Sequence, residues 1–427
     1  MDPQPLSRSR VNYALGLLVL VYAVNFVDRN ILSVLLQPIK EDLGASDTAM
    51  GFLTGFAFAV FYTFAGIPIA RIADRGSRRT VMAVGITFWS VMTAASGLAA
   101  NFWQLALARI GVGVGEASAT PAAHSLISDY FPPERRTRAI AIYNVGAGLG
   151  VLFGLALGGW LQESVGWRWA FAVVGLPGLA VALLVRLTLP EPVRGISEGR
   201  SDRDDPPGIG ETIRYLAKLP TFRHLALAAG LYGMTAYGLL TWAVTFVYRI
   251  HKIGYAEIGL TLGLVIGIAG SLGAYFGGVL CDRMAQRDRR WLLWIPAAAG
   301  LGLVPCYAVF TLTDDLNLAL LAFVPVNLLN VVFAPPTYMI TQGLAQLRMR
   351  AMASAIILFV LNLIGLGLGP TLVGVMNDWL EPQYGDGAIR VSLMLLLIAG
   401  SWGIVHSLLA ARTLEADLQR AAAGQHD

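Results

Sequence analysis

Twelve long apolar stretches, separated by short polar connections, restrict this chain more than any other feature. A bilayer core takes about 20 apolar residues in a helix. Segments of that kind lie at Tyr13–Leu36, Thr48–Ala70, Thr80–Ala100, Trp103–Ser128, Ala139–Leu161, Trp169–Leu189, His224–Tyr248, Ile258–Leu280, Trp291–Leu312, Leu316–Leu344, Ala353–Met376 and Val391–Ala411. Charged residues make up 14% of the chain, against roughly 25% in soluble domains. The fold class expected is therefore an all-α polytopic membrane protein with twelve transmembrane helices. The polar stretch PEPVRGISEGRSDRDDPPGIGETIRYLAKLP divides them six and six. It predicts an N-terminal bundle over 1–190, a linker over 191–220 and a C-terminal bundle over 221–427, with a short amphipathic helix near Gly210–Leu219.

The basic residues set the orientation. With the N-terminus inside, 24 of the 31 Lys and Arg residues fall on the inner side and 5 on the outer. Such asymmetry places both termini and the linker in the cytoplasm. Because the positive charge follows segment ends, the pI near 9.1 does not call for a nucleic-acid partner. Cys281 and Cys306 sit far apart in apolar surroundings, with no zinc spacing and no disulfide framework. No cofactor, metal or enzyme activity is expected. There is no GxxxxGK[ST] motif to hold ATP, no Gly-x-Ser-x-Gly and no His-Glu-x-x-His. The abundance of arginine over lysine suggests a bacterial source, hence an inner-membrane protein.

Within the first segment Asp28 and Arg29 stand side by side among Phe26, Val27, Ile31 and Leu32. A charge at mid-membrane costs at least ~2.5–3.5 kcal/mol, so it requires a partner, a wet cavity or a task. The fourth segment supplies Arg109 and Glu116, seven residues apart and so on one stripe of a helix, about 10 Å apart along its axis. The four charges sum to zero, which predicts one polar cluster with Asn25 beside it. One reading is that the cluster only ties helices together. Buried ion pairs are weak stabilisers and intramembrane carboxylates commonly relay protons, so the functional reading is preferred. In it Asp28 or Glu116 takes up a proton and loosens Arg29 or Arg109, with Asp28 favoured. The second half lacks mid-membrane charge. It offers Tyr237, Trp242, Asn330, Tyr338 and Asn362 among apolar residues, a wall suited to an acyl chain. Arg29, Asn25, Glu116 and Asn144 would hold a polar or anionic headgroup. His124 and His406 read as packing or helix-end residues.

The halves repeat. Ala70–Arg79 carries ADRGSRR after the second segment, and Gly277–Arg290 carries CDRMAQRDRR after the eighth. Each half also sets arginines before a glycine-rich helix that contains an asparagine, Asn144 or Asn362. Paired halves with matching loops signal a transporter built from repeats. Asp74-Arg75-Gly76-x-Arg78-Arg79 matches the loop signature of the major facilitator superfamily, and Asp282-Arg283 its weaker second copy. Ala70 departs from the usual glycine of the first copy. NFVDRNILSVLLQPIKEDL, RIGVGVGEASATPAAHSLISDYFPPERR, GWRWAF and RMRAMASAIILFVLNLIGLGLGP resemble the Spinster branch, close to its bacterial members.

That resemblance implies two six-helix bundles around a central cavity, related by pseudo-two-fold symmetry and rocking to expose it to each side in turn. In the animal members it implies export of sphingosine-1-phosphate or lysophospholipids. It also implies a cytoplasmic gate at Asp74, Arg75, Arg78, Arg79, Arg138, Asp282 and Arg283. Arg75, Arg78 and Arg138 are expected to reach Asp129 or Glu134, and Asp74 the helix start near Ala353. The expectation is a monomeric, proton-coupled secondary transporter for a lipid-like organic anion, with the lipid bilayer, protons and that amphipathic small molecule as its partners. Proton symport of a sugar acid and drug/proton antiport are the competing readings. A lipid-modifying membrane enzyme or a passive channel fits the repeats and gate loops poorly.

Overall fold

The computed structural model describes residues 7–192, 208–346 and 349–423, and among them every regular element is helical. The first pass is α1 (Arg8–Leu43), opened by the Ser7 side chain and closed by Gly44 in the left-handed region. The second is α2 (Asp47–Phe52), a π-helical turn Leu53–Ala57, and α3 (Phe58–Arg75). Then follow α4 (Arg78–Ser96), α5 (Phe102–Glu116), α6 (Ala119–Tyr130) and α7 (Pro133–Thr188). Backbone at Gly166 (φ 78°, ψ 167°) divides α7 into the fifth and sixth passes.

The second half begins with α8 (Ile209–Ala217), which buries Thr212 and Leu216 and exposes much of its other face. This is the amphipathic helix foreseen near Gly210–Leu219. Residues 193–207 of the linker lie outside the described residues. Next come α9 (Pro220–His251), α10 (Tyr255–Leu264), a π-helix Val265–Ala269, α11 (Gly270–Ala285), α12 (Trp291–Leu312), α13 (Leu316–Asn330) and α14 (Ala334–Leu344). The last passes are α15 (Arg350–Val360), a π-helix Leu361–Leu368, α16 (Gly369–Tyr384) and α17 (Ala388–Ala423).

Among the described residues eight helical stretches are by themselves long and apolar enough to cross a membrane. Two of these, Glu134–Thr188 and Met352–Ala422, are each long enough for two passes. The third pass, α4, and the fourth, interrupted between α5 and α6, complete the twelve. The interruption follows Glu116 directly, and Ser118 turns its hydroxyl onto Gly115 O at 2.8 Å.

The chain forms two compact units. The first comprises Met1–Ala45, Ala57–Arg203 and Ile253–Gly267, and the second Ser46–Phe56, Asp204–Lys252 and Ile268–Asp427. The second and eighth passes each change unit inside their π-helix. In the first unit Trp89, Tyr143, Ile86, Val112 and Leu126 fill the core. There α1 lies along α7 over glycines spaced by four. A methyl at Gly146 would come within 2.6 Å of Val19 O, and one at Gly150 within 2.5 Å of Ala23 O. Small residues at helical spacing let two membrane helices touch backbone to backbone, which fixes the rotation of α1 and the direction of Asp28 and Arg29. In the second unit Phe222, Tyr232, Leu293, Ile340 and Leu414 are core residues.

Candidate functional site

The four charges of α1 and α5 do converge in the first unit, with partners other than neighbour to neighbour. Arg29 donates from Nη2 (2.6 Å) and Nε (3.1 Å) to one oxygen of Glu116. Its guanidinium also lies over the rings of Phe26, Phe58 and Tyr62, at 5.2, 4.8 and 5.1 Å. Arginine suits this setting because its planar, weakly hydrated cation can stack and chelate at once. The Glu116 side chain is wholly enclosed, whereas 21% of the Arg29 side chain is open. That opening is where a ligand anion could approach the cation.

Asp28 is fully buried, and neither carboxylate oxygen has a hydrogen-bond partner. The Trp89 indole is a near neighbour, but its N–H is also unpaired. Arg109, also buried, sends Nη2 to the Asp28 backbone oxygen at 3.3 Å and leaves Nε and Nη1 without partners. The cluster therefore holds one formed ion pair, Arg29–Glu116, and one charge couple, Asp28 with Arg109, not closed by a hydrogen bond between the charged groups. Asn25 is buried with a free Nδ2, and Asn144 is exposed on α7.

The arginine-rich end of this unit carries a dense network on Arg78. Its guanidinium binds Asp129, the Glu191 carboxylate (Nε to Oε1, 3.0 Å), the Ser125 hydroxyl and Pro192 O. Glu191 further accepts from the backbone N–H of Arg79 at 2.9 Å and from Ser77 Oγ at 2.8 Å. Burial pushes the Glu191 carboxyl up, but the Arg79 N–H, the Ser77 hydroxyl and the Arg78 hydrogen bond and charge outweigh it and hold the group below its ordinary value. The Arg78–Asp129 contact is the one foreseen. Glu191 was not foreseen, since it reads as an ordinary linker acid. Arg138 does not reach Asp129 or Glu134: it is exposed, and Arg136 instead binds Ser128 O. Asp282 and Arg283 are exposed. The side chains of Asp74 and Arg75 lie outside the described residues.

In the second unit the five candidate side chains have different surroundings. Trp242 is enclosed, and its single donor is taken by Pro370 O at 2.9 Å. The Tyr237 ring packs on Gly365 of the π-helix that carries Asn362. Asn330 lines a pocket with Tyr232, Thr235 and Phe333. Tyr338 packs at the edge of the core.

A further buried ion pair escaped the sequence reading. Arg249, near the end of α9, grips Asp47 at the start of α2 with two bonds, 2.6 and 2.7 Å. Asn377 adds Nδ2 to the same carboxylate at 2.9 Å. Asp378 caps α2 by accepting from Asp47 N (3.0 Å) and Thr48 N (2.7 Å), where the positive end of a helix favours a carboxylate. The one available signal was Arg249 itself, an arginine closing an apolar run on the side that holds few basic residues.

Residues 18–370 match the family model of the Major Facilitator Superfamily. A bacterial homologue of the human lysosomal transporter Spinster, solved in an inward-facing and unoccupied conformation, superposes with a TM-score of 0.88 at 30% identity. The match covers 96% of this chain and 99% of that one. The chain belongs to the major facilitator superfamily, in its Spinster branch. It is thus a multi-pass membrane transporter. It is 36% identical to an MFS-type efflux pump of Mycolicibacterium smegmatis, over 90% of this chain and 89% of the pump. Human protein spinster homolog 1 is 26% identical over 97% of this chain and 83% of its own length. A probable L-galactonate transporter of Escherichia coli is 30% identical over 64% of this chain and 62% of its own.

Proposed function

We propose that this protein is a proton-coupled secondary transporter of an amphipathic organic anion, of the phosphorylated sphingoid or lysophospholipid class, working by alternating access. The observation that carries the reading is the contrast within one cluster. Glu116 is committed to Arg29, while Asp28 is buried without an ionic bond. An ionised carboxylate held that way is expensive, so a proton is its natural partner. Loss of that proton places a negative charge beside Arg109 and Glu116 and changes the field at Arg29. Arg29, stacked on three aromatic rings and partly open, is the residue that would receive a phosphate headgroup. The protein acts as a monomer in a bacterial inner membrane with both termini in the cytoplasm.

A drug-efflux reading draws support from the efflux-pump relative, and a sugar-acid reading from the galactonate-transporter relative. The three separate on headgroup and chain. Arg29→Ala should weaken binding of a phosphorylated sphingoid base at least tenfold more than binding of its neutral analogue. Equal loss for both would refute headgroup recognition. Uptake of galactonate without any lipid response would move the substrate to the hydrophilic class.

A further inference from the structure

The arginine-rich end of the second unit carries a charged cleft apart from the cluster around Arg29. Between α11 and α12 the chain runs Gln286-Arg287-Asp288-Arg289-Arg290. These residues, with Ala285 and Glu415, line an open cleft of about 720 Å³. Ala285, Gln286 and Arg289 also line a second hollow of about 830 Å³, so the two adjoin. The second is lined mostly by apolar groups: Leu292, Met339, Ile340, Leu414 and Leu418, with Gly343 at one wall and Asp282 at its edge. A charged mouth thus lies beside an apolar slot.

Three details say what fits there. The first is charge. No ion pair engages Arg287, Arg289 or Arg290 among the described residues. Asp288 accepts from Arg290 N at 2.8 Å and keeps its negative charge. Against the three arginines of the mouth stand Asp288 and Glu415, so its lining carries an excess of one positive charge, with Asp282 at the edge of the second hollow. The second is depth. Trp291 and Trp294 begin α12 and pack edge to face at 5.3 Å. Tryptophan collects at the level of lipid headgroups, so the arginines stand one turn outside that level and the slot begins at it. The third is length. α17 has 36 residues, about 54 Å of helix against a hydrocarbon core of about 30 Å. Its end, with Leu414 and Leu418, extends past the core and walls the slot where a headgroup and its first methylenes lie.

We propose that these adjoining hollows bind one anionic membrane phospholipid. Its phosphate lies among Arg287, Arg289 and Arg290, and one acyl chain enters the slot beside Met339 and Leu418. Basic pockets between helix ends are suited to such headgroups, and the fork of arginine suits a phosphate.

The test uses the full-length protein in mild detergent, with native mass spectrometry to count retained lipid. Phosphatidylglycerol, phosphatidylcholine and phosphatidylethanolamine of equal chain length are added separately. The expected result is one phosphatidylglycerol retained at least fivefold more than either zwitterionic lipid. The triple variant Arg287→Gln, Arg289→Gln, Arg290→Gln should lose that preference. Gly343→Trp tests the slot without touching charge, because a side chain at Gly343 points at Leu418, 3.4 Å from its Cβ position. It should lower lipid retention while leaving the arginines in place. Glycerol phosphate at millimolar concentration should compete poorly if the chain contributes, and competition equal to that by phosphatidylglycerol would reduce the site to a free-phosphate site and overturn the lipid assignment. Equal retention of all three lipids, or retention unchanged in the triple variant with its melting temperature intact, would also overturn the proposal.

Discussion

The Asp47–Arg249 pair allows a prediction with a size attached. Both side chains are nearly enclosed, at 2% and 9% exposure, and they share two short hydrogen bonds. Removing one partner of a buried pair costs about 3–5 kcal/mol, most of it the burden of the charge left behind. In Asp47→Asn the stranded group is a guanidinium in a site with little water. In Arg249→Met it is a carboxylate that keeps Asn377 and its place at the start of α2. The double variant buries no net charge, so it should cost much less than the sum of the singles. The expected coupling is about 2–4 kcal/mol, read from a double-mutant cycle of unfolding in mixed dodecyl maltoside and SDS micelles. Exposed pairs give about 0.2–1 kcal/mol. A coupling below about 0.5 kcal/mol would refute the claim that this pair is buried and anchors α2 in the second unit.

Four further outcomes follow from the same geometry. Gly150→Leu should displace α1 from α7, costing at least the ~1–3 kcal/mol of an overpacked contact. Gly16→Ala, with nothing within 4 Å of its Cβ position, should leave the melting temperature unchanged or slightly raised. Glu191 is held below its ordinary value in the folded protein, so its contribution is fully present above the unfolded carboxyl value of about 4.3. That contribution is lost as pH falls through the lowered folded value. The stability gap between wild type and Glu191→Gln, measured by thermal unfolding, should therefore be constant from pH 7 to 5 and close on further acidification. Trp242→Phe should cost about 1 kcal/mol through its lost bond to Pro370 and leave substrate affinity unchanged; a large affinity loss at unchanged stability would return Trp242 to the binding surface.

What the sequence could and could not disclose divides along physical lines. The passes depend on hydropathy, which is a local quantity, and these were legible. So was the convergence of Asp28, Arg29, Arg109 and Glu116, because charges in apolar helices must find one another. Their pairing was not legible, because it depends on the rotation of α1 against α7, set by backbone contacts at Gly146 and Gly150. Adjacent in sequence, Asp28 and Arg29 point to different partners. Arg249 and Asp47 are 202 positions apart, and each by itself reads as a helix-end residue. Glu191 looked like one more solvated linker charge until Arg78 and the Arg79 N–H were seen to converge on it. The π-helices at Leu53–Ala57 and Val265–Ala269 leave no mark in a run of small and apolar residues, since their cause is packing.

The most direct test of the account is proton flux into liposomes that contain the purified protein and an internal pH dye. A phosphorylated sphingoid base, a lysophospholipid and galactonate are supplied in turn, to wild type and to Asp28→Asn. The account predicts a lipid-dependent flux in the wild type that falls at least a hundredfold in Asp28→Asn, while the variant still binds the lipid. Undiminished, pH-dependent flux in Asp28→Asn would remove Asp28 from the proton path and contradict the account.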